Sequence, residues 1–306
     1  MVKFNPKTDI PDLSGKIIIV TGGNVGLGKE TIAQLSRHNP AHIYLAARNE
    51  SKARAAMADI RSQDPDAKCP ITFLELDLAS FASIKRFAAD FTAREQYLHL
   101  LVNNAGIMAW PPATTADGYE VQFGTNHMGH ALLTKLLLPT LRRTAEQHAD
   151  GDVRVVNVSS AAERMPPNPV YDFAALKTDM AAWSTWSRYG CSKIANIHHA
   201  RALARRHPEL RCVAIHPGVV STNLTAGPAA SYPWLRPLIA VFSRLVLASV
   251  GEGAKNQLWA ATSPDAESGV FYWPVGVAGR DTPNALDPEL ADKLWEWTEK
   301  ELEPHV

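Results

Sequence analysis

Cysteine is scarce: Cys69, Cys191 and Cys212 are the only three in 306 residues, they form no C-x-x-C pair and they leave an odd thiol. That count excludes a disulfide framework and gives a thiolate zinc site nothing to build on. Net charge is missing as well. Lys and Arg number 31 and so do Asp and Glu, which removes the broad electrostatic pull that nucleic-acid and polybasic membrane binders rely on. Residues 1–14 are polar and contain Pro6 and Pro11, unlike the apolar core of a secretory leader. The sequons at Asn49, Asn157 and Asn223 therefore read as chance matches, and the expected location is cytoplasmic. The longest apolar stretch, 235–250, is interrupted by Arg236, Pro237 and Arg244 and falls short of the ~20 residues of a spanning helix. No integral membrane segment is expected.

What is present is enough apolar material for a large core: 46% hydrophobic against 20% charged residues. No repeat, low-complexity tract or linker divides the chain, so a single domain over 1–306 is expected. Residues 17–21 are a short apolar run that ends in glycines, as in a strand buried on both faces. A helical spacing follows over 28–38. The alternation then continues as strand 42–46, helix 51–62, strand 72–76, helix 80–92, strand 98–103, helix 119–138 and strand 153–159. Such alternation predicts an α/β fold with a doubly wound parallel sheet. An irregular extended loop, 161–187, precedes a helix over 189–206 and a strand over 211–216. Residues 222–250 have no clear period and read as a substrate lid. A strand over 269–273 and a helix opened by Asp287-Pro288 close the chain.

Between the first strand and helix stands Thr21-Gly22-Gly23-Asn24-Val25-Gly26-Leu27-Gly28. Glycines there permit a tight turn and let backbone N–H groups approach a phosphate at the helix N-terminus, the arrangement of a dinucleotide cradle. After the second strand there is no carboxylate to hold a ribose 2′-hydroxyl. Arg48 stands there instead, and its fork of donors suits a 2′-phosphate, favouring NADP(H) over NAD(H). Tyr189 and Lys193, four apart on a predicted helix, share one face. An ammonium near a phenol favours the phenolate, and such a group can exchange a proton with a carbonyl or alcohol. His127, His130, His198 and His199 have no carboxylate or cysteine partner at metal-binding spacing, so no metal site is expected and they read as core or surface residues. Trp183, Trp186, Trp234 and Phe271-Tyr272-Trp273 are open between pocket lining and core.

Taken in order, Thr21 to Gly28, Asn103-Asn104-Ala105-Gly106, Asn126, Asn157-Val158-Ser159-Ser160, Tyr189-Gly190-Cys191-Ser192-Lys193 and Pro217-Gly218 resemble the short-chain dehydrogenase/reductase family over nearly the whole chain. The stretch 123–130 resembles its retinol-dehydrogenase-like branch. The resemblance implies a Rossmann fold and a catalytic group of Asn126, Ser160, Tyr189 and Lys193, with Ser159 as the alternative serine. It implies that Tyr189 is the acid/base, that Lys193 lowers its pKa and holds the nicotinamide ribose, and that Asn126 supports the lysine. Cofactor contacts are implied at Gly22, Asn24, Gly26, Leu27, Gly28, Arg48, Asp77, Asn104, Tyr189, Lys193, Val220 and Thr222. The expectation is an NADPH-dependent oxidoreductase, a carbonyl reductase or alcohol dehydrogenase, for a bulky apolar ketone, aldehyde or alcohol. The alternatives are a carbon–carbon double-bond reductase and a non-catalytic NADP(H) sensor or scaffold. Family members often assemble through the helices that bear Asn126 and Tyr189, so a homodimer is an open expectation.

Overall fold

The computed structural model describes residues 2–65, 67–147, 152–218, 226–232 and 249–306. Seven strands, β1 (Ile17–Thr21), β2 (His42–Ala47), β3 (Ile71–Glu75), β4 (Leu100–Asn103), β5 (Arg154–Val158), β6 (Arg211–Ile215) and β7 (Phe271–Tyr272), form one sheet in the order β3-β2-β1-β4-β5-β6-β7. Every pairing is parallel. A parallel sheet must be covered on both sides, and the side chains of β1 show how. Ile17 and Ile19 enter one core cluster, whereas Ile18 and Val20 enter the other.

Helices α1 (Gly26–Leu35) and α2 (Glu50–Gln63) cover the second face. Helices α3 (Phe81–Thr92), α4 (Gly129–Gln147) and α5 (Thr185–Arg206) cover the first. Because every crossover returns to the same edge, the loops at the strand C-termini converge there, and that edge holds the ligand crevice of a doubly wound sheet.

Helix α4 is preceded by a short turn, Val121–Phe123, and a π-helical segment, Gly124–Met128, so the helical path expected over 119–138 changes its hydrogen-bond spacing in the middle. It also runs on past Pro139, where the missing N–H costs one backbone bond but the buried face carries the helix. Helix α5 begins at Thr185, capped by Ser184, so the loop predicted over 161–187 ends three residues early and its last turn belongs to the helix. The final strand of the sheet is only Phe271–Tyr272.

Helix α6 (Val250–Thr262) had no counterpart in the periodicity. Gly251 and Gly253 depress its helix propensity, yet Ser249 caps it by accepting the Glu252 N–H at 3.2 Å, and Ala254, Leu258 and Trp259 are buried against the α1 side. The predicted lid, 222–250, lies outside the described residues apart from 226–232, 249 and 250.

Helix α7 (Pro288–Leu302) starts as the sequence indicates: the Asp287 carboxylate accepts the N–H groups of Glu289 at 2.9 Å and Leu290 at 3.1 Å. It packs along α5, where Asp292 pairs with Arg205 and Arg206 and Trp295 stacks on His199. Lys135 of α4 pairs with Glu299. This helix thus covers outer faces of the two helices that carry the candidate site. Among the described residues, no helix is long and apolar enough to cross a membrane. Asp287→Ala should lower the unfolding free energy by about 1 kcal/mol through loss of the cap, measured by urea denaturation.

Candidate active site

The cradle begins where β1 ends. Gly22 and Gly26 have φ of +67° and +51°, a region that L side chains rarely adopt. A Cβ on Gly28 would lie 2.5 Å from the Gly22 carbonyl oxygen and 2.6 Å from Asn104 Nδ2. The chain is therefore packed to bare backbone at the start of α1. That helix has no side-chain cap and no acidic residue in its first turn, which leaves its first N–H groups for an outside acceptor. These features fit a nicotinamide dinucleotide whose phosphates sit on the helix N-terminus. Asn24 is partly exposed and Leu27 is buried beneath the turn.

The neighbouring strand ends supply the rest of this half. Arg48, directly after β2, is exposed and has no ion pair among the described residues. Glu50, the nearest carboxylate in sequence, is committed to Arg54 at 2.5 Å. Asp77 follows β3 and turns its carboxylate onto the Ala79 N–H. Asn104 follows β4, with Nδ2 donating to the Thr21 carbonyl at 2.7 Å.

The residues expected to react lie at β5 and α5. Asn126 is fully buried in the π-helical segment: Oδ1 accepts the Ile107 N–H, and Nδ2 donates to the Ile107 carbonyl and to Ser192 Oγ, each at 2.9 Å. It thereby fixes the loop after β4 against the residue preceding Lys193. Lys193 Nζ donates to the Val158 carbonyl at 3.0 Å, an acceptor it shares with Asn196 Nδ2. A Cβ on Gly106 would lie 3.1 Å from Asn126 Oδ1 and 3.5 Å from Lys193 Nζ, so that glycine keeps the floor open between them.

The two serines differ. Ser159 is buried and donates to the Lys193 carbonyl at 2.6 Å, whereas the partly exposed Ser160 accepts only a long bond from the Ala162 N–H and also acts on the Tyr189 phenol. Of the two hydroxyls, that of Ser160 is the one beside the Tyr189 phenol.

Electrostatically the centre departs from the simple expectation. Lys193 Nζ stands 5.6 Å from the Tyr189 ring centroid, but burial is the dominant influence on both groups. It pushes the Tyr189 phenol up to about 12, with Ser160 opposing, and the Lys193 ammonium down to about 8. Desolvation disfavours both charged forms: at neutral pH the phenol stays protonated, while Lys193 remains mostly ammonium but gives up its proton more readily than an ordinary lysine.

Several residues at this edge gave no sequence signal. Arg188, adjacent to Tyr189, is fully buried and pairs with Glu120 at 2.8 Å while donating to the Trp110 carbonyl at 3.0 Å. Removing either partner of such a pair would leave an uncompensated buried charge, so each holds the other in place. A charged residue on the buried side of α5 was the available clue. Residues 226–232, within the segment expected to be a lid, rest on the same loop: Ser231 Oγ donates to the Ala109 carbonyl at 2.7 Å, and the Tyr232 and Thr185 hydroxyls are 3.0 Å apart.

The aromatic residues divide. Trp186 is at the surface and edge-on to Tyr189, Trp183 packs on the core, and Phe271 and Tyr272 enter opposite core faces. Trp273 lies under the guanidinium groups of Arg164 and Arg280. Val220, Thr222 and Trp234 lie outside the described residues. Among the described residues no cluster of three or more His, Cys, Asp or Glu could hold a metal ion.

The family model described as short chain dehydrogenase matches residues 16–231. An uncharacterized oxidoreductase of Schizosaccharomyces pombe is 41% identical, covering 96% of this chain and 87% of its own length. Retinol dehydrogenase 12 of Mus musculus is 36% identical, covering 92% and 85%. A solved structure of an uncharacterized protein from Mycobacterium paratuberculosis superposes with a TM-score of 0.71 at 30% identity, covering 97% of each chain.

Gly28→Ala should weaken dinucleotide binding more than tenfold (~1.4 kcal/mol or more), because backbone at Gly22 would have to shift; calorimetric titration with NADPH measures it. Lys193 carries a stability cost of its own. Its folded pKa lies below the unfolded value of 10.5, so the unfolded chain binds more protons between pH 8 and 10.5 and folding stability rises across that window, by on the order of 3 kcal/mol. Lys193→Met removes the effect: its stability relative to the parent should be greatest at pH 7.5 and shrink by pH 9.5, below the range where Tyr189 begins to oppose. Urea unfolding at the two pH values checks this.

Proposed function

Because the chain belongs to the short-chain dehydrogenase/reductase family, we propose that this oxidoreductase uses NADP(H) to interconvert a bulky apolar ketone or aldehyde and the corresponding alcohol. The observation that carries the reading is the junction of a bare glycine cradle with a buried Tyr189–Lys193 pair at one sheet edge. The nicotinamide supplies or accepts the hydride when bound.

The chain's own residues handle the rest. Ser160 holds the substrate oxygen beside Tyr189, whose phenol gives up its proton to that oxygen in reduction and takes it back in oxidation. Lys193, restrained by the Val158 carbonyl, restores the proton, and Asn126 keeps lysine and loop in register. Burial excludes water from Tyr189, Lys193 and Asn126, which strengthens each local interaction.

Arg48 is the group proposed to read the 2′-phosphate, supported by its lack of a competing carboxylate and by the engagement of Glu50 with Arg54. The proposed apolar substrate is supported by Trp186 beside Tyr189, by the lid fragment packed on residues 108–110, and by the name of the murine relative, retinol dehydrogenase 12.

The test is NADPH oxidation by the purified protein against bulky ketones, aldehydes and enones, with product analysis. Tyr189→Phe should lower kcat by at least ~10²-fold, the scale of acid–base catalysis, with NADPH affinity retained. Arg48→Ala should raise KM for NADPH about tenfold and leave KM for NADH within twofold, as expected for one charged hydrogen bond. Alkene rather than alcohol products would replace carbonyl reduction by double-bond reduction. Equal use of NADH by the parent would overturn the role of Arg48.

A further inference from the structure

His130 sits one turn beyond Asn126, buried, in a position that neither the glycine cradle nor the catalytic group accounts for. Its Nδ1 is 3.0 Å from the Asn126 carbonyl oxygen, and its Nε2 is 2.9 Å from Thr21 Oγ1. The direction of each bond is fixed by elimination. A carbonyl only accepts, so Nδ1 carries the proton. Burial lowers the pKa of His130 to about 3, so the ring is neutral and Nε2 is an acceptor. Thr21 Oγ1 therefore donates to Nε2, and its two lone pairs accept the N–H groups of Asn104 and Ala105, each at 2.9 Å. The other candidate acceptor, the Val102 carbonyl, is farther away at 3.4 Å.

The result is an unbroken, single-sense network: Asn104 and Ala105 donate to Thr21, Thr21 to His130, and His130 to Asn126. It joins the end of β1, where the cradle begins, to the loop after β4 and to the π-helical segment whose side chain holds Ile107 and Ser192. Every polar atom of His130 and Thr21 Oγ1 is used, so neither can turn without breaking a bond elsewhere.

We infer that His130 is a positioning residue that holds the Asn126 end of the site in register with the phosphate cradle, so that one dinucleotide can engage both. It touches no reacting atom; it acts through Thr21 and Asn126. This rests on the proposed NADP(H) function, and the test separates the two.

The experiment measures binding of NADPH and of 2′-AMP to the parent, His130→Leu and His130→Gln by calorimetry, with thermal unfolding recorded for each. 2′-AMP engages only the Arg48 end, whereas NADPH spans the network. His130→Leu should weaken NADPH about tenfold, the equivalent of one net hydrogen bond, and leave 2′-AMP within twofold. His130→Gln, which keeps one donor and one acceptor, should recover at least half of the loss on a logarithmic scale. NADPH binding unchanged in His130→Leu, or equal loss for both ligands, would overturn the positioning role, as would no recovery in a folded His130→Gln. Absence of NADPH binding to the parent would instead overturn the proposed cofactor.

Discussion

The site depends on keeping an amine where burial opposes its charge. Lys193 lies at the C-terminal edge of β5, anchored to the Val158 carbonyl, and every neighbouring feature serves to hold it there. Ser159 takes its backbone carbonyl, Asn196 shares its acceptor, and Asn126 grips the preceding serine. A buried lysine is an expense to the fold, of the kind that recurs where activity and stability compete. Tyr189, four residues earlier, is subject to the same desolvation with the opposite sign.

The sheet explains why such a centre can be rigid. Strands buried on both faces leave the crossover loops to meet at one edge, with the glycine turn after β1, Arg48 and Asp77 after β2 and β3, and Ser159 and Ser160 after β5. Because the glycine turn and α5 come from distant parts of the chain, their spacing must be held by contacts between loops. Asn126, the Arg188–Glu120 pair and the His130–Thr21 bond are such contacts, and all are buried. Residues 226–232 then pack on a loop already held by Asn126 and Arg188.

What was legible in the sequence was what is encoded locally. The glycine turn, the Asp287-Pro288 cap and the four-residue spacing of Tyr189 and Lys193 depend on neighbours in the chain, and the strand–helix alternation gave the doubly wound sheet. Long-range features were not legible. Helix α6 is carried by burial against α1 despite two glycines, and the π-helical segment at Asn126 has no periodic signature. His130 looked like an ordinary core histidine because its partners lie four residues away on the backbone and 109 residues away in Thr21. The sign of the Tyr189 shift was likewise hidden, since spacing shows a nearby ammonium but not how deeply both groups are buried.

Burial keeps the Tyr189 phenol protonated and loosens the hold of Lys193 on its proton, and the proposed dinucleotide is what would favour the phenolate. The direct measurement is the phenolate absorbance of Tyr189, taken as the parent minus Tyr189→Phe difference spectrum across a pH titration, with and without NADP⁺. No phenolate from Tyr189 is expected in the free protein below about pH 10, the ordinary tyrosine value, and a phenolate is expected at lower pH once NADP⁺ is bound. A phenolate titrating near neutral pH in the free protein would contradict this expectation.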